Sequence, residues 1–150
     1  SKIYTKKLRR KYNKRYSGNP GLKIKHRNHV LVGVDTSGSV SSKELVEFMN
    51  ELVHMHRTGN KITVAQFDTE LTSVEEFNPK KHWEIKGRGG TCFQAVTDHY
   101  NDPKNRYSAF ICLTDGEAPN PDNCPKNALW VHSSRSSINE ELTGIKIQLN

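Results

Sequence analysis

The chain has 150 residues, a net charge of +7, 26% charged residues and 33% apolar residues. That length suits one domain able to bury roughly two-thirds of its unfolded surface, and no apolar run approaches the ~18 residues of a membrane span. The three cysteines, Cys92, Cys112 and Cys124, include no CxxC pair, which argues against a disulfide framework or a zinc site and for a reducing, cytoplasmic compartment.

The charge is unevenly spread. Residues 1–29 hold 11 Lys/Arg and no acid, which leaves 12 Lys/Arg against 16 Asp/Glu, a net of −4, in residues 30–150. Residues 1–28 therefore read as a basic arm or linker, and residues 29–150 as the folded domain. Within the arm, Lys6, Lys7, Arg9, Arg10, Lys11, Lys14 and Arg15 are interleaved with Tyr4, Tyr12 and Tyr16. Such a composition can follow phosphates and stack bases, so nucleic-acid binding is one function class to test. No signal peptide is visible, and the opening Ser in place of Met is expected of a fragment or of a chain that has lost a tag.

From His29 the pattern becomes regular. Val30, Leu31, Val32 and Val34 form a near-continuous aliphatic run, as expected of a central parallel strand covered on both faces. Asp35-Thr36-Ser37-Gly38-Ser39 follows, then Ser41-Ser42-Lys43-Glu44, a capping-box signature. Leu45, Phe48, Met49, Leu52, Val53 and His56 lie on one helical face, and Thr58-Gly59-Asn60 ends the helix. Lys61 to Asp68 reads as a second strand. Leu71 to Phe77 reads as a third, antiparallel to the second, because the Asp68-Thr69-Glu70 turn is too short for a parallel crossover. After a polar loop carrying Trp83 comes Gly87-Arg88-Gly89-Gly90-Thr91, with a second capping box expected between Thr91 and Gln94, and a helix with Phe93, Val96 and Tyr100 on one side. Ser108 to Leu113 is a further buried strand, ending at Asp115-Gly116. A proline-rich loop, a strand at Ala128–His132, a short helix around Ile138–Leu142 and an edge strand through Ile145, Ile147 and Leu149 complete the chain.

This order predicts an α/β fold, a doubly wound, mostly parallel open sheet with one antiparallel edge strand, in strand order 3-2-1-4-5. Ligands of such sheets bind beyond the carboxyl ends of the strands where the order reverses, here between the first strand and the Phe110 strand. Asp35 and Asp115 end those two strands. Two carboxylates at one crevice either share a proton or hold a cation, and Ser37, Ser39 and Thr91 add three hydroxyls. Few carboxylates with several hydroxyls suit Mg²⁺, which keeps part of its water shell; Ca²⁺ asks for more carboxylates, and softer metals for His or Cys. Asp68 is expected at the same edge, primarily as a turn residue, with Gly90, Gly116 and Glu117 around the rim.

Asp35-Thr36-Ser37-Gly38-Ser39, Gly89-Gly90-Thr91 and Thr114-Asp115-Gly116 resemble the three-part metal-ion-dependent adhesion site of von Willebrand factor type A (VWA) domains, whose fold is Rossmann-like. Gly-Arg-Gly-Gly-Thr-Cys-Phe, Leu-Thr-Asp-Gly and Ala-Leu-Trp-Val are similar to a compact bacterial and phage group found beside metallopeptidase domains. The resemblance implies a Mg²⁺ or Mn²⁺ ion held by Ser37, Ser39 and Thr91, anchored through waters by Asp35 and Asp115, with one coordination position left for an acidic residue of a partner. It also implies a MoxR-type AAA+ ATPase as a partner class. A hydrolase is the third function class, with the metal activating water. There is no HExxH, however, and His26, His29, His54, His56, His82, His99 and His132 show no ligand spacing. Cys92 has no dedicated base. Binding rather than catalysis is the expectation.

Overall fold

The computed structural model describes residues 28–80 and 84–150. The basic residues Lys6 to Arg15 and Trp83 lie outside the described residues.

The architecture is a six-stranded sheet with one helix on each face. In chain order the elements are β1 (His29–Asp35), α1 (Ser42–Arg57), β2 (Lys61–Phe67), β3 (Leu71–Glu76), α2 (Gln94–Asn101), β4 (Ala109–Thr114), β5 (Leu129–His132) and β6 (Ile145–Gln148). The sheet order is β3-β2-β1-β4-β5-β6. Every pairing is parallel except β2 with β3. The predicted order and the antiparallel edge are thus present, and β6 extends the sheet as the opposite edge.

β1 is central because its side chains suit burial on both faces. Val30, Val32 and Val34 pack beneath Phe48, Leu52 and Met55 of α1, while Leu31 joins Phe93, Val96 and Trp130 on the α2 side. Burying a side chain such as Phe48 or Leu52 contributes about 1.5–3 kcal/mol each. Gly33 brings α2 close: a Cβ there would stand 3.0 Å from Val96 Cγ2. Helix α1 begins at the predicted capping box, in which Ser41 Oγ accepts from Glu44 N and Glu44 Oε1 accepts from Ser41 N. Gly59, with φ of 92°, turns the chain out of it.

Two local expectations fail. Thr91 and Gln94 form no capping box: α2 starts only at Gln94, behind Phe93, with no side-chain cap. Gln94 is instead drawn to the proline-rich loop, accepting from Asp122 N and donating to Asn123 Oδ1. Cys92 consequently precedes the helix rather than lying in its first turn. The segment around Ile138–Leu142 is a turn, not a helix. There Asn139 Nδ2 donates to the carbonyls of Gly116 and Ala118, so tertiary contacts replace the helical ladder. Trp130 is buried, with Nε1 donating to Thr143 O, and His56 packs edge-on against Phe77.

Candidate metal and partner site

At the carboxyl ends of β1 and β4 four chain segments converge. Asp35 closes β1 and is fully buried. Its Oδ1 accepts from Ser37 N at 2.9 Å, and its Oδ2 accepts from Thr114 Oγ1 at 2.6 Å. Thr114 ends β4 and also accepts from Gly116 N, so one hydroxyl locks the Asp115 loop to the Asp35 carboxylate across 79 residues. The Thr114-Asp115-Gly116 motif points to Asp115 and by itself gives Thr114 no separate role. Its signal was a polar side chain closing an otherwise apolar strand.

Ser37 and Ser39 are brought together, Oγ to Oγ at 3.1 Å. The distance is that of an ordinary hydrogen bond. It is also close to the edge of an octahedron with ~2.1 Å metal–oxygen bonds, about 3.0 Å, so the two hydroxyls are spaced to take neighbouring positions on one small cation. Gly38, between them, donates to Gly89 O at 2.8 Å. That bond docks Gly89 of the Gly-rich loop, two residues before Thr91, against the Ser37–Ser39 turn. The absence of the capping box has a consequence here, because no described residue takes the Thr91 hydroxyl, and Thr91 is half-buried at this rim.

Asp68 organises the other side of the Gly-rich loop. Its Oδ1 accepts from Glu70 N and its Oδ2 from Gly89 N, while its carbonyl accepts from Cys92 N. It is therefore both the turn residue the sequence suggested and a brace for the rim. Thr36 completes the brace, with Oγ1 donating to the carbonyls of Phe67 and Lys86. Gly116, with φ of 80°, sits where a Cβ would meet the His132 ring at 2.7 Å, and Gly90 faces Thr69. Glu117 is exposed, its amide donating to Asp115 Oδ1.

The electrostatics are those of clustered carboxylates. Burial pushes the Asp35 carboxyl above its ordinary 3.8, against the hydrogen bonds from Ser37 and Thr114, and the neighbouring Asp115 carboxylate pushes it higher still. Burial also opposes the Asp68 anion, but the amides of Glu70, Gly89, Thr69 and Asp68 itself outweigh it and hold that carboxyl below 3.8. Two nearby carboxylates, one destabilised by desolvation and by the other, with hydroxyl oxygens at octahedral spacing, are a donor set that fits a hard divalent cation. Among the described residues no group of three or more His, Cys, Asp or Glu is placed to hold a metal; the candidate set is built chiefly on hydroxyls.

Helix α1 and the loop after β5 are clasped beside this site. Ser133 Oγ donates to Glu44 Oε2, and Ser134 Oγ donates to Glu47 Oε1 at 2.8 Å. Burial works against the Glu44 anion, but the bonds from Ser133 and Ser41, aided by Arg135, bring its carboxyl below 4.5. No sequence signal singled out this clasp, since its partners are 89 residues apart.

The described residues contain no helix long and apolar enough to cross a membrane. The chain is 34% identical, over 122 residues, to an uncharacterized protein of Thermotoga maritima; the match takes in 79% of the chain but 30% of that relative, so the chain spans less than a third of the relative's length. No solved structure matches. The model of the VWA-like domain family DUF2201 matches residues 30–148, all of the sheet but its first residue, with both helices and all three loops of the site, and the chain belongs to that family of VWA-like domains.

Proposed function

We propose that this domain is a protein-interaction module whose docking point is a divalent cation, Mg²⁺ or Mn²⁺, at the carboxyl end of β1. Ser37, Ser39 and Thr91 would hold it through their hydroxyls, and Asp35 and Asp115 would anchor it, chiefly through waters. When bound, the cation supplies a Lewis-acidic position for a carboxylate of a partner protein. The observation that carries this reading is the pairing of a buried, disfavoured Asp35 carboxylate with two serine hydroxyls 3.1 Å apart. A AAA+ ATPase is the partner class that the resemblance to compact bacterial VWA domains suggests.

Binding is favoured over bond cleavage by the state of the nearest buried histidine. His132 Nδ1–H donates to Ile147 O, and its Nε2 accepts from Asn139 N, so neither ring nitrogen is available as a base. The test is thermal unfolding with EDTA, Mg²⁺ and Mn²⁺. A cation in 10- to 100-fold excess over its Kd should add about 1.4–2.7 kcal/mol, and Asp35→Ala or Ser37→Ala should abolish the gain. No shift with either cation would remove the proposal.

The charge of residues 1–29 supports a second, separable activity, nucleic-acid binding by the arm. Its affinity would fall steeply with salt, and deleting residues 1–28 would abolish it while sparing the cation response. Binding unchanged by the deletion would exclude it.

A further inference from the structure

Arg88 is the one non-glycine residue with positive φ among the described residues, at 94°. An L side chain takes that conformation against steric resistance that glycine does not meet, and glycine stands on both sides of it. Backbone needs alone would therefore favour a third glycine. The loop around it is also held from several directions. Lys86 O accepts from Thr36 Oγ1 and Thr72 Oγ1, Gly89 N donates to Asp68 Oδ2, and Gly89 O accepts from Gly38 N. Strained residues on over-determined loops are characteristic of functional positions.

The strained backbone sets Arg88 on the rim of the proposed cation site, with its side chain leaving from there into solvent. Arg88 O lies 3.1 Å from where a Cβ on Gly38 would stand, between Ser37 and Ser39. The side chain is exposed, and no described residue pairs with it. Its surroundings are anionic: Asp35, Asp68, Asp115 and Glu117 all lie at this end of the sheet. A divalent cation offsets only part of the charge such a cluster can carry, so an incoming acidic partner still meets like-charged groups at this rim.

We propose, building on the cation-docking reading above, that Arg88 sets partner specificity by taking a second carboxylate beside the one bound to the metal, so that the partner presents two neighbouring acidic side chains rather than one. The planar guanidinium suits this role, because it binds a carboxylate through two parallel N–H···O bonds where a point charge would not orient it.

Two blocked peptides test this, one with a single aspartate among glycines and serines, the other with a glutamate added two residues on. Both are titrated calorimetrically against the full chain in Mg²⁺. The diacid should bind roughly fivefold tighter, the scale of a well-oriented exposed ion pair. Arg88→Ala and Arg88→Gly should erase that preference while leaving the single-acid affinity and the Mg²⁺-induced rise in Tm unchanged, and Arg88→Gly should melt no lower than wild type. Lys86→Ala, removing the same charge from the same loop, should keep the preference. Equal affinity for the two peptides, a preference that survives Arg88→Gly or is lost equally in Lys86→Ala, or no peptide binding despite Mg²⁺ stabilisation would overturn the role of Arg88 and leave the cation site standing. Absence of any Mg²⁺ stabilisation would overturn both.

Discussion

Asp35→Asn should raise the stability of the metal-free protein and abolish its response to Mg²⁺. Asp35 is fully buried, and its carboxylate accepts from Ser37 N and Thr114 Oγ1. Replacing the anion by an amide weakens those two charge-assisted bonds to neutral ones, a loss of about 1–3 kcal/mol in total, part of it because the Thr114 proton must turn away from the new N–H donor. Against this stands the relief of desolvating a buried carboxylate, several kcal/mol, and of repulsion from Asp115. The raised Asp35 pKa gives the sign of the balance: burial outweighs the hydrogen bonds, so the folded environment disfavours the anion relative to the unfolded chain. A net gain of about 1–2 kcal/mol translates into a rise of roughly 3–8 °C for a folded unit of this size. The assay is thermal unfolding of both proteins in EDTA and in Mg²⁺ at neutral pH. Wild type should melt lower in EDTA and recover the difference in Mg²⁺, whereas Asp35→Asn should be indifferent to the cation. The pH dependence supplies a check. Because the folded Asp35 pKa lies above the ordinary 3.8, its penalty is fully present above the folded pKa and is relieved as pH falls toward 3.8, so the two metal-free proteins should converge on acidification. A variant several degrees less stable than wild type in EDTA, or one still stabilised by Mg²⁺, would refute the reasoning.

Glu44→Gln should cost about 1–2 kcal/mol, since it weakens both the capping box of α1 and the clasp to Ser133. That deficit, read by urea unfolding, should be full above pH 4.5 and shrink below it, as the depressed Glu44 carboxyl of wild type is protonated. Gly116→Ala places a methyl against the buried His132 ring at a φ of 80° and should cost on the order of 2–3 kcal/mol; a denaturation midpoint within 0.5 kcal/mol of wild type would contradict the contact. His132 is held below the ordinary 6.5 by burial, against its bonds to backbone and the nearby carboxylates, and His29 and His99 are lowered too, again mainly by burial. Stability should therefore be flat above pH 6.5 and fall below it, at up to about 1.4 kcal/mol per pH unit per histidine. His132→Asn should flatten that slope even though its packing is poorer.

The chain organisation was legible because it rests on local regularities. Val30 to Val34 is apolar on both faces and can only be a central strand; Ser41 and Glu44 satisfy each other's backbone without help from elsewhere. Asp35, Ser37 and Ser39 lie within five residues, so their convergence needed no knowledge of the sheet. The expectations that failed concern segments whose local signal was outbid. Gln94 was drawn from Thr91 to the Asp122–Asn123 loop, and the turn at Asn139 was captured by the carbonyls of Gly116 and Ala118.

Tertiary structure alone decided how the pieces of the site meet. Thr114 bonding Asp35, Ser133 clasping Glu44, and Gly38 docking Gly89 each join groups far apart in sequence. Such bonds follow from strand order and register, which are set by burying both faces of the sheet at once and leave no periodic trace in the residues themselves. The same holds for Arg88. Its sequence context is a glycine-rich loop like many others, and only the folded backbone, with φ of 94° beside Gly38, makes it a residue held under strain at the mouth of the site.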